Sequence, residues 1–82
     1  MSWADRITQA VERVGNPCLV GLDPHLALIP SCFAAVRDPE ATRAERASAV
    51  GDFLCEVIDL VASRVAVVKP QSAFFEALGP DG

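Results

Sequence analysis

Two charged residues stand where apolar segments end, and each of them is followed by a proline. Asp23 closes the segment VGLDP, and Lys69 closes the segment VAVVKP. Parallel α/β folds bind their ligands at the carboxyl ends of the strands. Neighbouring parallel strands lie about 4.8 Å apart, so strands with level ends would bring the carboxylate and the ammonium group within pairing reach. The pattern fits a plain ion pair that closes the sheet, and it fits a site for a polar ligand such as the hydroxyls of a sugar.

Two amphipathic helices are predicted from apolar residues that recur at spacings of three and four. The first covers residues 3–14, where Ser2 is a suitable N-cap and Gly15 a suitable stop. The second covers residues 46–62, where the apolar residues form one continuous stripe.

Two strands and a third helix are predicted between and after these helices. The apolar run at 18–22 is typical of a strand buried on both faces, and the β-branched run at 65–68 forms the second strand. Residues 25–43 contain prolines and mixed charges, which predicts a long loop with short helical turns. The third helix follows Pro70, with Ser72 as its cap and Gly79 as its stop.

The order helix–strand–helix–strand–helix predicts an α/β fold with a parallel crossover. With 82 residues, the chain is one domain at most. Its three predicted helices are too few to cover all the faces and flanks of two parallel strands, so the sheet is incomplete. A complete (β/α)8 TIM barrel needs about 250 residues. We therefore expect residues 1–82 to be the N-terminal portion of a single barrel domain, incomplete as given.

Composition argues against several classes of protein. The net charge is −4 and the seven basic residues are scattered, which argues against nucleic-acid binding. No apolar run approaches the roughly 20 residues that span a membrane. Charged residues occupy the N-terminal segment where a signal peptide needs an apolar core, so a cytoplasmic location is expected. The three cysteines (Cys18, Cys32 and Cys55) form no C-x-x-C pair, which indicates neither a disulfide framework nor a metal site and favours buried, reduced thiols.

Two segments carry a family resemblance. NPCLVGLDPH and FLCEVIDLVASRVAVVKPQSAFFEALG resemble the N-terminal third of the orotidine 5′-phosphate decarboxylases, within a match that extends over residues 3–82. The likeness is greatest to the longer bacterial (type 2) branch, which has an extended loop after the first strand. The family converts orotidine 5′-monophosphate to uridine 5′-monophosphate and CO2 in pyrimidine biosynthesis. The resemblance thus implies a lyase that uses no metal or organic cofactor, binds this nucleotide and is typically a homodimer.

The resemblance also implies roles for individual residues. Asp23 would bind the ribose of the nucleotide as a hydrogen-bond acceptor. Lys69 would contact the ribose and act as a catalytic residue, the first member of a network of lysines and aspartates beside the scissile carboxylate. Gln71 would touch the nucleotide. His25 follows Asp23-Pro24 and could reach a phosphate, although a solvated or capping role is favoured for a histidine in such a loop.

The chain departs from the family pattern after its second strand. The family continues with an Asp-x-Lys-x-x-Asp motif whose lysine protonates the carbanion, and no lysine follows Lys69 here. The phosphate-binding loops of the last strands are missing as well. We therefore expect the isolated 82-residue chain to be inactive.

Two other interpretations remain open at the level of sequence. The chain could be a non-enzymatic α/β piece that binds a partner through exposed strand edges. It could also belong to a related barrel that uses the same Asp and Lys on sugar phosphates, such as a keto-acid sugar-phosphate decarboxylase. The segment KPQSAFFE argues against this second alternative.

Overall fold

The first helix, α1 (Trp3–Val14), is defined at both ends by local hydrogen bonds. The Ser2 hydroxyl accepts a bond from the Asp5 N–H, and the Asp5 carboxylate accepts one from the Ser2 N–H, both at 3.1 Å. This reciprocal capping box satisfies amides that the first turn leaves without partners. Gly15 then takes a left-handed φ of 81° and donates its N–H to the carbonyl of Val11. The predicted helix 3–14 is confirmed in the computed structural model, which describes all residues from Met1 to Gly82.

The second helix, α2 (Arg43–Val61), begins three residues before the predicted start. Thr42 is its N-cap, and the Thr42 hydroxyl accepts a hydrogen bond of 3.1 Å from the Glu45 N–H. The predicted apolar stripe is confirmed, since Val50 and Leu54 are buried in the core. None of the helices is both long and apolar enough to cross a membrane.

The two strands, β1 (Leu19–Leu22) and β2 (Val67–Pro70), are neighbours in one parallel sheet. Leu19 pairs with Val67, and the register continues to Leu22 and Pro70. The predicted second strand, 65–68, starts two residues too early. Its first residue still belongs to the exit of α2, because the Val65 N–H donates to the carbonyl of Val61. The observed order of elements confirms an α/β fold.

The last helix, α3 (Ser72–Glu76), begins directly after β2. The prediction that Ser72 caps this helix is wrong, because Gln71 occupies the N-cap position and its side chain makes no capping bond. The helix ends at Glu76, and a short 3-10 turn follows at Gly79–Asp81. Gly79 has a left-handed φ of 77°, a conformation that glycine adopts without strain.

The core lies on one face of the sheet only. It contains six buried apolar side chains, Leu22, Ile29, Val36, Val50, Leu54 and Leu78. The long loop supplies two of these side chains. Ile29 follows the 3-10 turn Leu26–Leu28, and Val36 ends the 3-10 turn Ala34–Val36. Arg37 holds the loop in place by donating to the carbonyls of Ala27 and Ile29. The predicted loop with short helical turns is therefore confirmed.

The opposite face of the sheet carries no covering element. Leu19 is 51% exposed, and Gly21 and Lys69 are exposed as well. The prediction that the first strand is buried on both faces is wrong for this chain, because α2 and the loop pack against one face alone. The three cysteines are also exposed, which contradicts the expected burial of their thiols.

The chain exposes more surface than a compact protein of its size. Its accessible surface is 5721 Å², whereas a compact protein of this mass, 8.7 kDa, would expose about 4700 Å². The radius of gyration is 15.0 Å, compared with about 12 Å for a compact domain of this length. Part of the excess comes from α1, which has no buried residue and leaves Trp3 74% exposed.

Candidate active site

The candidate site lies on the uncovered face, at the carboxyl ends of the two strands. Lys69 is the parallel partner of Gly21, so both residues project from the same face. Asp23 follows Gly21 by two residues. Its carboxylate folds back over that glycine, and Oδ2 lies 3.4 Å from where a Cβ atom at residue 21 would be. The structure therefore brings the predicted carboxylate and ammonium group to one face and one end of the sheet.

Gln71 joins the same edge through one further hydrogen bond of the parallel ladder. Its N–H donates to the carbonyl of Leu22 at 3.2 Å, which places Gln71 level with Asp23. Gln71 has extended backbone angles (φ −97°, ψ 109°) and follows Lys69 by two residues. Since side chains alternate between faces in extended chain, Gln71 belongs to the face that carries Lys69.

The predicted ion pair between Asp23 and Lys69 does not form within 4.0 Å. In the sheet, Lys69 is opposite Gly21, and Asp23 lies two residues further along. Two residues of strand amount to about 6.6 Å. The interpretation of these residues as a plain ion pair is therefore wrong for this structure, and both exposed charged groups remain available to a ligand.

Gly21 leaves the space between the two charged residues open. A methyl group at this position would contact the Asp23 carboxylate at an ordinary van der Waals distance. Its role is thus one of space and not of backbone strain, since its φ is not positive.

His25 contacts a part of the site that sequence reasoning did not connect to it. Its backbone N–H donates to the Asp23 carbonyl at 2.8 Å. Its ring packs edge-on against Phe74, with ring centroids 4.4 Å apart and planes at 64°. Of the two predicted roles, solvated or capping, the structure favours the first, because His25 is exposed and its side chain makes no capping bond to the turn that follows. The two aromatic residues are 49 positions apart, and no periodicity or motif links them.

The site is an open surface without the walls of a pocket. None of the four principal cavities is lined by Asp23, Lys69 or Gln71. A carboxylate, an ammonium group and an amide can together bind neighbouring hydroxyls, and the ammonium group can stabilise a developing negative charge. No second lysine stands nearby to supply a proton, because Lys69 is the only lysine of the chain.

Curated proteins named orotidine 5′-phosphate decarboxylase are similar to the chain over nearly all of its length. The protein of Rhodopirellula baltica is 44% identical over 84 residues, which cover 100% of this chain and 27% of that protein. The protein of Myxococcus xanthus is 41% identical over 80 residues, covering 98% of this chain and 24% of that protein. The protein of Salinispora arenicola is 40% identical over 81 residues, covering 99% and 26%.

These relatives confirm the resemblance predicted from the segments GLDPH and VVKPQSAFFE. The chain spans about a quarter of the length of the curated relatives it matches. No protein-family model matches the chain, and no solved structure matches it with significance.

Proposed function

We propose that the chain is the N-terminal part of an orotidine 5′-phosphate decarboxylase, a lyase that converts orotidine 5′-monophosphate to uridine 5′-monophosphate and CO2 in pyrimidine biosynthesis. The observation that carries this proposal is the placement of Asp23, Lys69 and Gln71 on one open face, at the carboxyl ends of two adjacent parallel strands. The similarity to curated decarboxylases over the whole chain supports it.

The two faces of the sheet support the placement of residues 1–82 in a (β/α)8 barrel. One face packs against α2, as strands of such a barrel pack against their outer helices. The other face leaves Leu19, Gly21 and Lys69 exposed, as expected for strands whose inner face turns toward the barrel interior. The remaining strands would close the barrel over this face and supply the walls that the site lacks.

The resemblance to the decarboxylases gives each of the three residues a role that its side-chain chemistry allows. The Asp23 carboxylate accepts hydrogen bonds from the ribose hydroxyls, and the amide of Gln71, level with it, contacts the same nucleotide. The Lys69 ammonium group donates to the ribose and lies beside the scissile carboxylate. Its positive charge stabilises the negative charge that grows at C6 as CO2 departs, and a preorganised cation needs no rearrangement at that moment.

The remaining parts of the reaction need residues beyond this segment. The proton that replaces CO2 and the binding of the phosphate come from the other strands of the proposed barrel. We expect no turnover by the isolated chain, and we expect the complete enzyme to be a cytoplasmic homodimer that needs no metal or organic cofactor.

A chimera tests the proposed function. In this chimera, residues 1–82 replace the matching N-terminal segment of the Rhodopirellula baltica relative. The loss of orotidine 5′-monophosphate is then measured by absorbance. We expect turnover by the chimera, and a decrease in kcat of about 10²–10³-fold in its Lys69→Ala variant. Arg64→Ala is the matched control, since it removes the same charge from an exposed residue before β2, at the opposite end of the sheet. A folded chimera without turnover, or an undiminished Lys69→Ala variant, would contradict the proposal.

A second candidate function rests on the edges of the sheet. Each strand has only one neighbour, so both edges expose unpaired backbone groups that another chain could extend. The nucleotide sequence downstream of the Gly82 codon distinguishes the two candidates. A continuing reading frame that encodes Asp-x-Lys-x-x-Asp supports the enzyme, whereas a stop codon favours an interaction piece.

A further inference from the structure

An aromatic side-chain contact joins the two segments that leave the sheet with the proposed ligand residues. His25 lies two residues after Asp23, and Phe74 lies three residues after Gln71. Their rings pack edge-on at a centroid distance of 4.4 Å. We propose that His25 is a positioning residue: its contact with Phe74 holds Asp23 in place relative to Lys69 and Gln71. This inference rests on the proposed function of the site.

Asp23 needs such support because it lies outside the strand ladder. β1 ends at Leu22, and no side chain of the protein holds the Asp23 carboxylate by a hydrogen bond or a salt bridge. The backbone around it is fixed through His25. The His25 N–H donates to the Asp23 carbonyl at 2.8 Å, and the His25 carbonyl accepts from the Leu28 N–H at 2.9 Å. A displacement of His25 would therefore move Asp23.

Phe74 provides a fixed point for this contact. It is half-buried in α3, and its neighbour Phe75 packs against the core. The start of α3 is tied to β1 by the bond from the Gln71 N–H to the Leu22 carbonyl. Both this backbone bond and the ring pair therefore hold the exit of β1 against the start of α3.

The positions of the groups predict an effect on substrate binding more than on the chemical step. Asp23 binds the ribose equally in the ground state and in the transition state, so its displacement raises KM and leaves kcat nearly unchanged. An edge-on ring pair changes an equilibrium by roughly threefold to tenfold. His25→Ala in the chimera should raise KM by about that factor, with kcat within about twofold. His25→Phe retains a ring that can pack on Phe74 and should restore KM.

Phe74→Leu tests the same contact from the other side, because it removes the ring against which His25 packs. It should raise KM as His25→Ala does, and the double variant should be no worse than either single variant, because both changes remove the same contact. Leu28→Ala is the control, since Leu28 is 78% exposed in the adjacent turn and should leave KM unchanged.

A structural measurement on the 82-residue chain gives a readout independent of turnover. His25 is the only histidine, so its ring proton signals are assigned without ambiguity by NMR. We expect nuclear Overhauser effects between these protons and the ring protons of Phe74, and a change of their chemical shifts in Phe74→Leu. Absence of both would overturn the inference.

The outcomes separate this inference from the proposed function. If the unsubstituted chimera is folded but inactive, the proposed function fails and the positioning role fails with it. If the chimera is active and KM is unchanged in both His25→Ala and Phe74→Leu, only the positioning role is rejected.

Discussion

The two faces of one small sheet differ in what they do for the molecule. On the covered face, Val20 and Val68 pack against the buried core around α2. On the open face, Leu19, Gly21 and Lys69 are exposed. Both faces are built from the same two four-residue strands.

This difference shows how a strand divides its residues between stability and chemistry. Because side chains alternate along a strand, Val20, Leu22 and Val68 lie on the face that packs in the core, and Lys69 lies on the face of the proposed site. Changes on the covered face should therefore affect folding, and changes on the open face should affect the ligand. Substitutions on the two faces can test this division.

The largest effect is expected from Ile29→Ala on the covered side of the molecule. Ile29 is 2% exposed, and deleting its side chain should cost about 2–5 kcal/mol, because the cavity it leaves cannot be refilled by its neighbours. A chain with so small a core should then lose its cooperative unfolding transition in urea. Leu28→Ala, one residue earlier and 78% exposed, is the control and should retain the transition. Equal urea midpoints for the two variants would contradict the assignment of the core.

A smaller effect, on activity alone, is expected from Asp23→Ala in the chimera. Loss of a hydrogen bond to a charged group should cost about 1.5–3 kcal/mol of ligand binding, or roughly 10–150-fold in KM. The free energy of unfolding should be almost unchanged, because Asp23 is exposed and has no protein partner. Asp59→Ala removes an exposed carboxylate from α2 and should alter neither quantity. A loss of stability in Asp23→Ala would show that the open face also serves the fold.

The sequence predicted the helices well because their signals are local. The spacing of apolar residues, together with Ser2 and Gly15, predicted α1 to the residue, and the stripe around Val50 predicted most of α2. The sequence also indicated which residues lie at the carboxyl ends of the strands. These features depend on neighbours within four positions along the chain.

The register of the sheet could not be predicted, because it depends on contacts between distant segments. Nothing local indicates that Lys69 faces Gly21 and not Asp23. The exposure of the open face and the contact between His25 and Phe74 depend on tertiary packing in the same way. The candidate residues and their common end of the sheet were therefore predicted, whereas the register and the tertiary contacts around them were not.

A comparison between the isolated chain and the chimera tests whether the open face becomes a barrel interior. Leu19→Ala should change the free energy of unfolding of the isolated chain by no more than about 0.5 kcal/mol, because Leu19 is 51% exposed. In the chimera the same change should cost about 2 kcal/mol, since the additional strands would bury this side chain. Leu60→Ala on α2, at 76% exposure, should have a small effect in the isolated chain. Equal costs for Leu19→Ala in both proteins would argue against closure of a barrel over this face.

The smallest effect concerns α1, which depends on local bonds because none of its residues is buried. Hydrogen bonding to the side chain of Ser2, and then to its backbone N–H, holds the pKa of Asp5 below its ordinary value of 3.8. A carboxyl group with a lowered pKa stabilises the folded helix fully above 3.8, and this contribution disappears as the pH falls through the lower, folded value. Ellipticity at 222 nm should therefore decrease between about pH 4 and pH 2 more in the natural chain than in Asp5→Asn, while Glu12→Gln should follow the natural chain. Coincident curves for the natural chain and Asp5→Asn would show that the capping box adds nothing to α1, and that its few tertiary contacts are enough to hold it.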